Sequence, residues 1–173
     1  MQRRSLLKTL AGLSLLPLLP ACSRAATPAA VPGATVARLD KARTAWRGQV
    51  SDAAYRVLFE DGTERAGSSP LDNEKRRGQY VCAACHLPLF RSADKFDSGT
   101  GWPSFTRPIA GHTGSSRDFR MIIPRTEYHC ARCGGHQGHV FNDGPPPTGQ
   151  RWCNNGVALH FVPSDETLPA LRS

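Results

Sequence analysis

Six cysteines are spread over 173 residues, and four of them form two units of identical spacing, Cys82-Ala-Ala-Cys85 and Cys130-Ala-Arg-Cys133. Each unit can present two thiolates to one tetrahedral ion, and four sulfurs close its coordination shell. A closed shell leaves no place for water or substrate, so such an ion staples distant stretches of chain together instead of doing chemistry. Zinc, one ion per chain, suits the set best, and iron also accepts four thiolates. Two disulfides, or one redox-active pair, are the competing readings, and an oxidising compartment would favour them.

Setting aside Cys22 near the N-terminus leaves Cys153 alone, within Arg151-Trp152-Cys153-Asn154-Asn155-Gly156. A lone cysteine is often a small core hydrophobe. Here polar neighbours surround it, and Arg151 would favour the thiolate that acts as nucleophile. His136 and His139, in His136-Gln137-Gly138-His139, could supply a proton to a leaving oxygen, although a pair so spaced also suits a second metal site or a polar surface. Trp102, followed by Pro103, reads either as core or as a rigid apolar wall for a small alkyl group.

Glycine and proline are plentiful, 16 and 14 residues, which favours short strands and turns over long helices as the frame for these groups. Leu39, Ala42, Ala45 and Trp46 recur at helical spacing. A second helix is expected with Ser51 as its cap, burying Ala54, Tyr55, Leu58 and Phe59 and stopping at Asp61-Gly62. Beyond Gly78, short apolar runs at Tyr80-Val81, Met121 to Ile123 and the alternating Val157, Leu159 and Phe161 read as strands, with Asp143 to Pro147 as a rigid loop between them.

The N-terminus carries Arg3, Arg4 and Lys8 ahead of an apolar run, Leu10 to Leu19, too short to span a bilayer. Residues 1–22 are therefore expected to be an export signal of twin-arginine type, and Leu19-Pro20-Ala21-Cys22 resembles a lipobox that would leave Cys22 acylated and membrane-anchored. Plain cleavage near Ala25 would instead give a soluble periplasmic protein. The periplasm, or the membrane surface facing it, is the expected location. Residues 23–37 read as a flexible linker, 38–163 as the folded domain and 164–173 as a loosely attached polar tail. The formal charge of +8 drops by three with the leader and is not concentrated in a dense run, so nucleic acid is not an expected partner.

Several segments, in order, resemble the methionine-R-sulfoxide reductase family (MsrB, or SelR) between about Trp46 and Phe161. They are Asp61-Gly-Thr-Glu-Arg65, Gly78-Gln-Tyr-Val-Cys82, Lys95-Phe-Asp-Ser-Gly-Thr-Gly-Trp-Pro-Ser-Phe105, His136-Gln-Gly-His-Val-Phe141 and Arg151-Trp-Cys153. The resemblance implies a mainly β fold: two antiparallel sheets in a tent-like, Mss4-like arrangement, with short N-terminal helices and a four-cysteine zinc site. It also implies Cys153 as the catalytic cysteine, Asn155 as an active-site amide donor, His136 and His139 beside the sulfoxide oxygen, and Trp102 as the wall receiving the S-methyl group. Phe105 would extend that wall and Arg151 would favour the thiolate. A thiolate would then attack the sulfoxide sulfur while an imidazolium protonates the departing oxygen, releasing methionine and a cysteine sulfenic acid. The implied substrate is the R epimer of methionine sulfoxide in oxidised proteins, the implied reductant a thioredoxin-like or other thiol, and the expected state a monomer.

The chain departs from the family pattern at several positions. Thr100 stands where many members place a resolving cysteine, so an external thiol is expected to reduce the sulfenic acid directly. The stretch His112 to Asp118 is read as a loop in which His112 is a doubtful substitute for a further histidine, and Gln137 and Gly156 replace the more usual Leu and Ser. Two other functions stay open at this point. A zinc-ribbon-like binding module would use Cys153 only for packing, and a thiol-disulfide exchanger would hold no tightly bound metal.

Overall fold

The computed structural model describes residues 36–119 and 124–173. The leader, Cys22, nearly all of the linker and the expected strand at Met121 to Ile123 lie outside the described residues. No helix among those described is long and apolar enough to cross a membrane.

Ser51 opens helix α1 (Asp52–Glu60): its hydroxyl accepts from the Ala54 N–H at 3.2 Å, and Asp61 closes the helix in the left-handed conformation. The helix buries Val57 as well as the four apolar residues expected of it. The helix expected from Leu39 to Trp46 is only a 3-10 turn, Arg43–Trp46. No side chain caps that turn, and Trp46 is fully buried, stacked on Phe59 of α1 at 5.8 Å. The helix-like spacing therefore records one anchoring ring, since a segment this short cannot sustain an α-helix alone.

Among the described residues, nine strands make two antiparallel sheets, which gives the mainly β class expected. One sheet has the order β2 (Pro88–Arg91), β1 (Gly78–Cys82), β9 (Leu159–Pro163). The other runs β3 (Lys95–Phe96), β4 (Ser104–Phe105), β8 (Arg151–Asn154), β7 (His136–Phe141), β6 (Arg125–Cys130), β5 (Thr113–Asp118). Tyr80 of the small sheet meets Phe105 of the large one at 4.9 Å between ring centroids, and Phe90 stacks on Phe105 at 4.1 Å. These rings, with α1 and Tyr128, form the shared core.

Two expectations about irregular segments are corrected. His112 to Asp118, read as a loop, is mostly strand β5: an edge strand that hydrogen-bonds along its whole length to β6 but exposes its middle residues, so its composition is polar on both faces. The tail at 164–173, expected to be loose, is tied to the domain. Arg172 donates through its backbone to the Cys85 carbonyl at 3.1 Å and through its guanidinium to the Gln49 carbonyl at 3.0 Å, and the Ala170 carbonyl meets His86 Nδ1 at 3.0 Å. Every one of these anchors uses a backbone group on at least one side, and backbone groups leave no trace in side-chain polarity.

Candidate active site and metal centre

Cys82 at the end of β1 and Cys85 in the turn after it face Cys130 at the end of β6 and Cys133 in the turn after that. The four sulfurs lie within 4.8 Å of one another. Cys82 Sγ is 3.6 Å from Cys133 Sγ, and Cys85 Sγ is 3.5 Å from Cys130 Sγ. A tetrahedral ion with bonds of about 2.3 Å to sulfur needs its ligands about 3.8 Å apart, so the cluster has the dimensions of a metal cage. A disulfide would need about 2.05 Å, and none of the four is in one. Contact with the Cys130 sulfur, reinforced by burial, pushes Cys82 and Cys133 well above the ordinary thiol range while the same contact pushes Cys85 below it. A cation removes that conflict by letting all four ionise together. These residues fit a metal ion such as zinc, held between the two sheets.

Cys153 sits on β8, opposite Ser104 of β4 on one side and His139 of β7 on the other. Side chains directly opposite one another across a sheet share a face, so Ser104, Cys153 and His139 form one row. Gly138 lets the strands approach this closely: a Cβ there would lie 1.9 Å from the Cys153 carbonyl oxygen. A cleft of about 180 Å³ opens over the row and is lined by Trp102, Arg125, His139, Phe141, Cys153 and Asn155, among others. Trp102 is fixed by its indole N–H, which donates to the Glu64 carbonyl at 3.2 Å.

Burial raises the Cys153 thiol above its ordinary pKa. Arg151 and the hydroxyls of Ser104 and Thr100 pull the other way without overcoming it, so the resting residue is a thiol. Arg151 lowers the thiol pKa, but burial outweighs it. Arg151 is itself gripped by Asp143 through two 2.8 Å hydrogen bonds and lies over the Phe141 ring at 4.3 Å. Thr100 joins Ser98, and Ser98 joins Ser104, in a chain of hydroxyls with both links 2.8 Å long.

His139 Nε2 meets Asp118 Oδ2 at 2.9 Å, and Arg125 reaches the same oxygen at 2.7 Å. Burial nevertheless lowers the His139 pKa below the usual imidazole value, so the resting ring is neutral rather than the expected imidazolium. His136 lies behind it, 5.4 Å away between ring centroids, buried and bonded through Nδ1 to Glu127 at 2.7 Å. Asn155 reaches the cleft wall, yet both ends of its amide serve the backbone: Nδ2 donates to the Gln137 carbonyl at 2.9 Å and Oδ1 accepts from Glu64 N at 3.0 Å. It shapes the site more than it presents a donor to it.

Phe105 does not extend the wall. It follows Ser104 on β4 and pairs with Trp152, so the two-residue period of the strand turns it to the opposite face, where it is fully buried in the core. His112 is held by the Pro88 carbonyl through Nδ1 at 2.6 Å and is not among the residues lining the cleft.

Two positioning residues carry no signal in composition or spacing. Asp118, the partner of His139, is hidden in the polar edge strand β5. Glu64 accepts from Gly156 N through one carboxylate oxygen and from Val157 N at 3.1 Å through the other, while its backbone holds Trp102 and Asn155. It lies inside the Asp61 to Arg65 motif, but only the fold brings it to the turn that follows the Cys153 strand.

The SelR domain model matches residues 50–163. A peptide methionine sulfoxide reductase MsrB from Agrobacterium fabrum is 48% identical over 130 residues, spanning 75% of this chain and 96% of that protein. The protein of the same name from Thiobacillus denitrificans is 50% identical over 121 residues, 69% of this chain and 92% of its own. One from Methanosarcina mazei is 44% identical over 131 residues, with 75% and 94% covered. A match across the whole β domain, including both cysteine units and Cys153, means that the chain belongs to the MsrB/SelR family.

Proposed function

We propose that the protein is a peptide-methionine (R)-S-oxide reductase, an oxidoreductase acting through Cys153. The observation that supports this most is the row in which an unpaired thiol faces His139 across a strand pair beneath the Trp102 wall. The Cys153 sulfur attacks the sulfoxide sulfur, the S–O bond breaks, and the oxygen ends on the cysteine as a sulfenic acid while the thioether departs. The cysteine is oxidised and the substrate reduced. The thiol proton and the proton of the new S–OH group balance, so a neutral His139 can take the first and return it to the leaving oxygen. Asp118 orients that ring and supports its transient charge.

Specificity for one epimer follows from three directions fixed at once: methyl against Trp102, oxygen toward His139, and the line of attack from Cys153. The cleft is open to solvent, which suits a methionine sulfoxide carried on a polypeptide and so a role in repairing oxidised proteins. With Thr100 in the resolving position, an external thiol of a thioredoxin-like or other reductant attacks the sulfenic acid to give a mixed disulfide and water, and a second thiol displaces Cys153 as the free thiol, leaving the reductant as a disulfide. Zinc in the four-thiolate cage is structural: it joins the first sheet to β6, and no chemical step passes through it.

The N-terminal arginine pair and the Cys22 motif support export to the periplasm, with a lipid on Cys22 holding the domain at the membrane. Turnover of a dabsyl-methionine sulfoxide with the two epimers supplied separately, alongside metal analysis, tests the whole reading. Consumption of R alone with one zinc per chain is expected; consumption of S, or of neither, overturns it.

A further inference from the structure

Gln137 is fully buried in β7, at a position where the family more usually carries leucine. Burying an amide costs free energy unless both of its ends find partners. Here both do, and the partners belong to different sites. Nε2 donates to Cys82 Sγ at 3.5 Å, and Oε1 accepts from Asn154 Nδ2 at 3.3 Å. The Gln137 backbone carbonyl also accepts from Asn155 N and from Asn155 Nδ2, each at 2.9 Å. One residue thus touches a sulfur of the cage and both asparagines that follow the nucleophile.

We infer that Gln137 is a positioning residue that couples the four-thiolate metal site to the nucleophile strand. It stabilises metal-bound Cys82 with an N–H···S bond and uses the other end of the same amide to hold Asn154. A hydrogen bond to an ionised sulfur is stronger than one to a thiol, so metal loading tightens the Gln137 amide and with it the stretch Cys153 to Asn155. Leucine or methionine would fill the volume and leave the two sites independent. The inference rests on the metal reading of the cage and extends it to the neighbouring site.

The test compares the full-length protein with Gln137→Met and Tyr128→Phe. Tyr128 donates to Asn154 Oδ1 at 2.6 Å and to the Cys153 carbonyl at 3.3 Å, so Tyr128→Phe disturbs the nucleophile strand from the other side. Two quantities are read on each protein: the rate of metal release to a chromogenic chelator, and the rate of Cys153 alkylation in the metal-loaded form. Gln137→Met is expected to release its metal roughly tenfold faster, as loss of an outer-shell partner usually does, and to alter the alkylation rate as well. Tyr128→Phe is expected to alter alkylation alone. Metal release from Gln137→Met at the parent rate overturns the coupling, as does equally fast release from Tyr128→Phe, which would mean general loosening of the core. A parent protein that binds no metal overturns both the coupling and the cage reading, and the metal content measured before the release experiment separates that failure from the others.

Discussion

Glu64→Gln changes one atom type in a half-buried carboxylate and tests whether this residue holds the catalytic turn. Both carboxylate oxygens face backbone donors, Gly156 N and Val157 N. Glutamine keeps one acceptor and sets an NH₂ group against the other N–H, so one charge-assisted bond becomes a donor–donor contact. Such a bond contributes about 1.5–3 kcal/mol, and partial exposure of the site brings the expected loss to roughly 2 kcal/mol. For a folded unit of this size that is a fall in melting temperature of about 6 °C. The turn held by Glu64 begins three residues after Cys153, and a misplacement of well under 1 Å there should lower kcat by roughly tenfold. KM should change less, because the backbone of residue 64 still holds Trp102. Thermal melting and steady-state kinetics on the R sulfoxide read both effects. A variant with the parent melting temperature and the parent kcat would refute the reasoning that the carboxylate is needed as a double acceptor.

Thr100→Cys places a thiol where a hydroxyl now contacts Cys153, so one turnover without reductant should leave an internal disulfide detectable by peptide mass analysis; a stable sulfenic acid in the variant would contradict that geometry. The Cys153 pKa is raised, so the thiolate fraction, and with it the alkylation rate of the free enzyme, should keep climbing past about pH 8.5, where an ordinary thiol begins to level off. Arg151→Leu should push that rise to still higher pH, since Arg151 pulls the thiol down; a plateau below pH 8.5 in the parent would show that charge wins over burial. Asp118→Asn removes the charge that opposes the lowering of the His139 pKa and leaves Arg125 beside the ring. The acid limb of kcat/KM should therefore move to lower pH and kcat should fall by about tenfold or more, whereas an unchanged profile would take His139 out of the proton path.

What the sequence reveals of this architecture depends on how each element is stabilised. Helix α1 was legible because its cap, apolar face and stop all lie within eleven residues. The cage was legible because a Cys-x-x-Cys turn is a local geometry repeated twice. Strand β5 was not, because an edge strand with a polar face needs no hydrophobic alternation, and Asp118 went unseen with it. Phe105 was misplaced because a loop motif gives no strand phase, and one residue of phase separates the cleft from the core. The resting charges of Cys153 and His139 depend on burial contributed by residues scattered along the chain, which local sequence does not encode.

The central claim is that one sulfur, on Cys153, performs the reduction of one epimer. Cys153→Ser, shown by its melting curve and metal content to be folded and loaded, should consume neither epimer of a peptide methionine sulfoxide, while the parent protein consumes R and leaves S. Parent-like turnover of the R epimer by the serine variant would contradict the account.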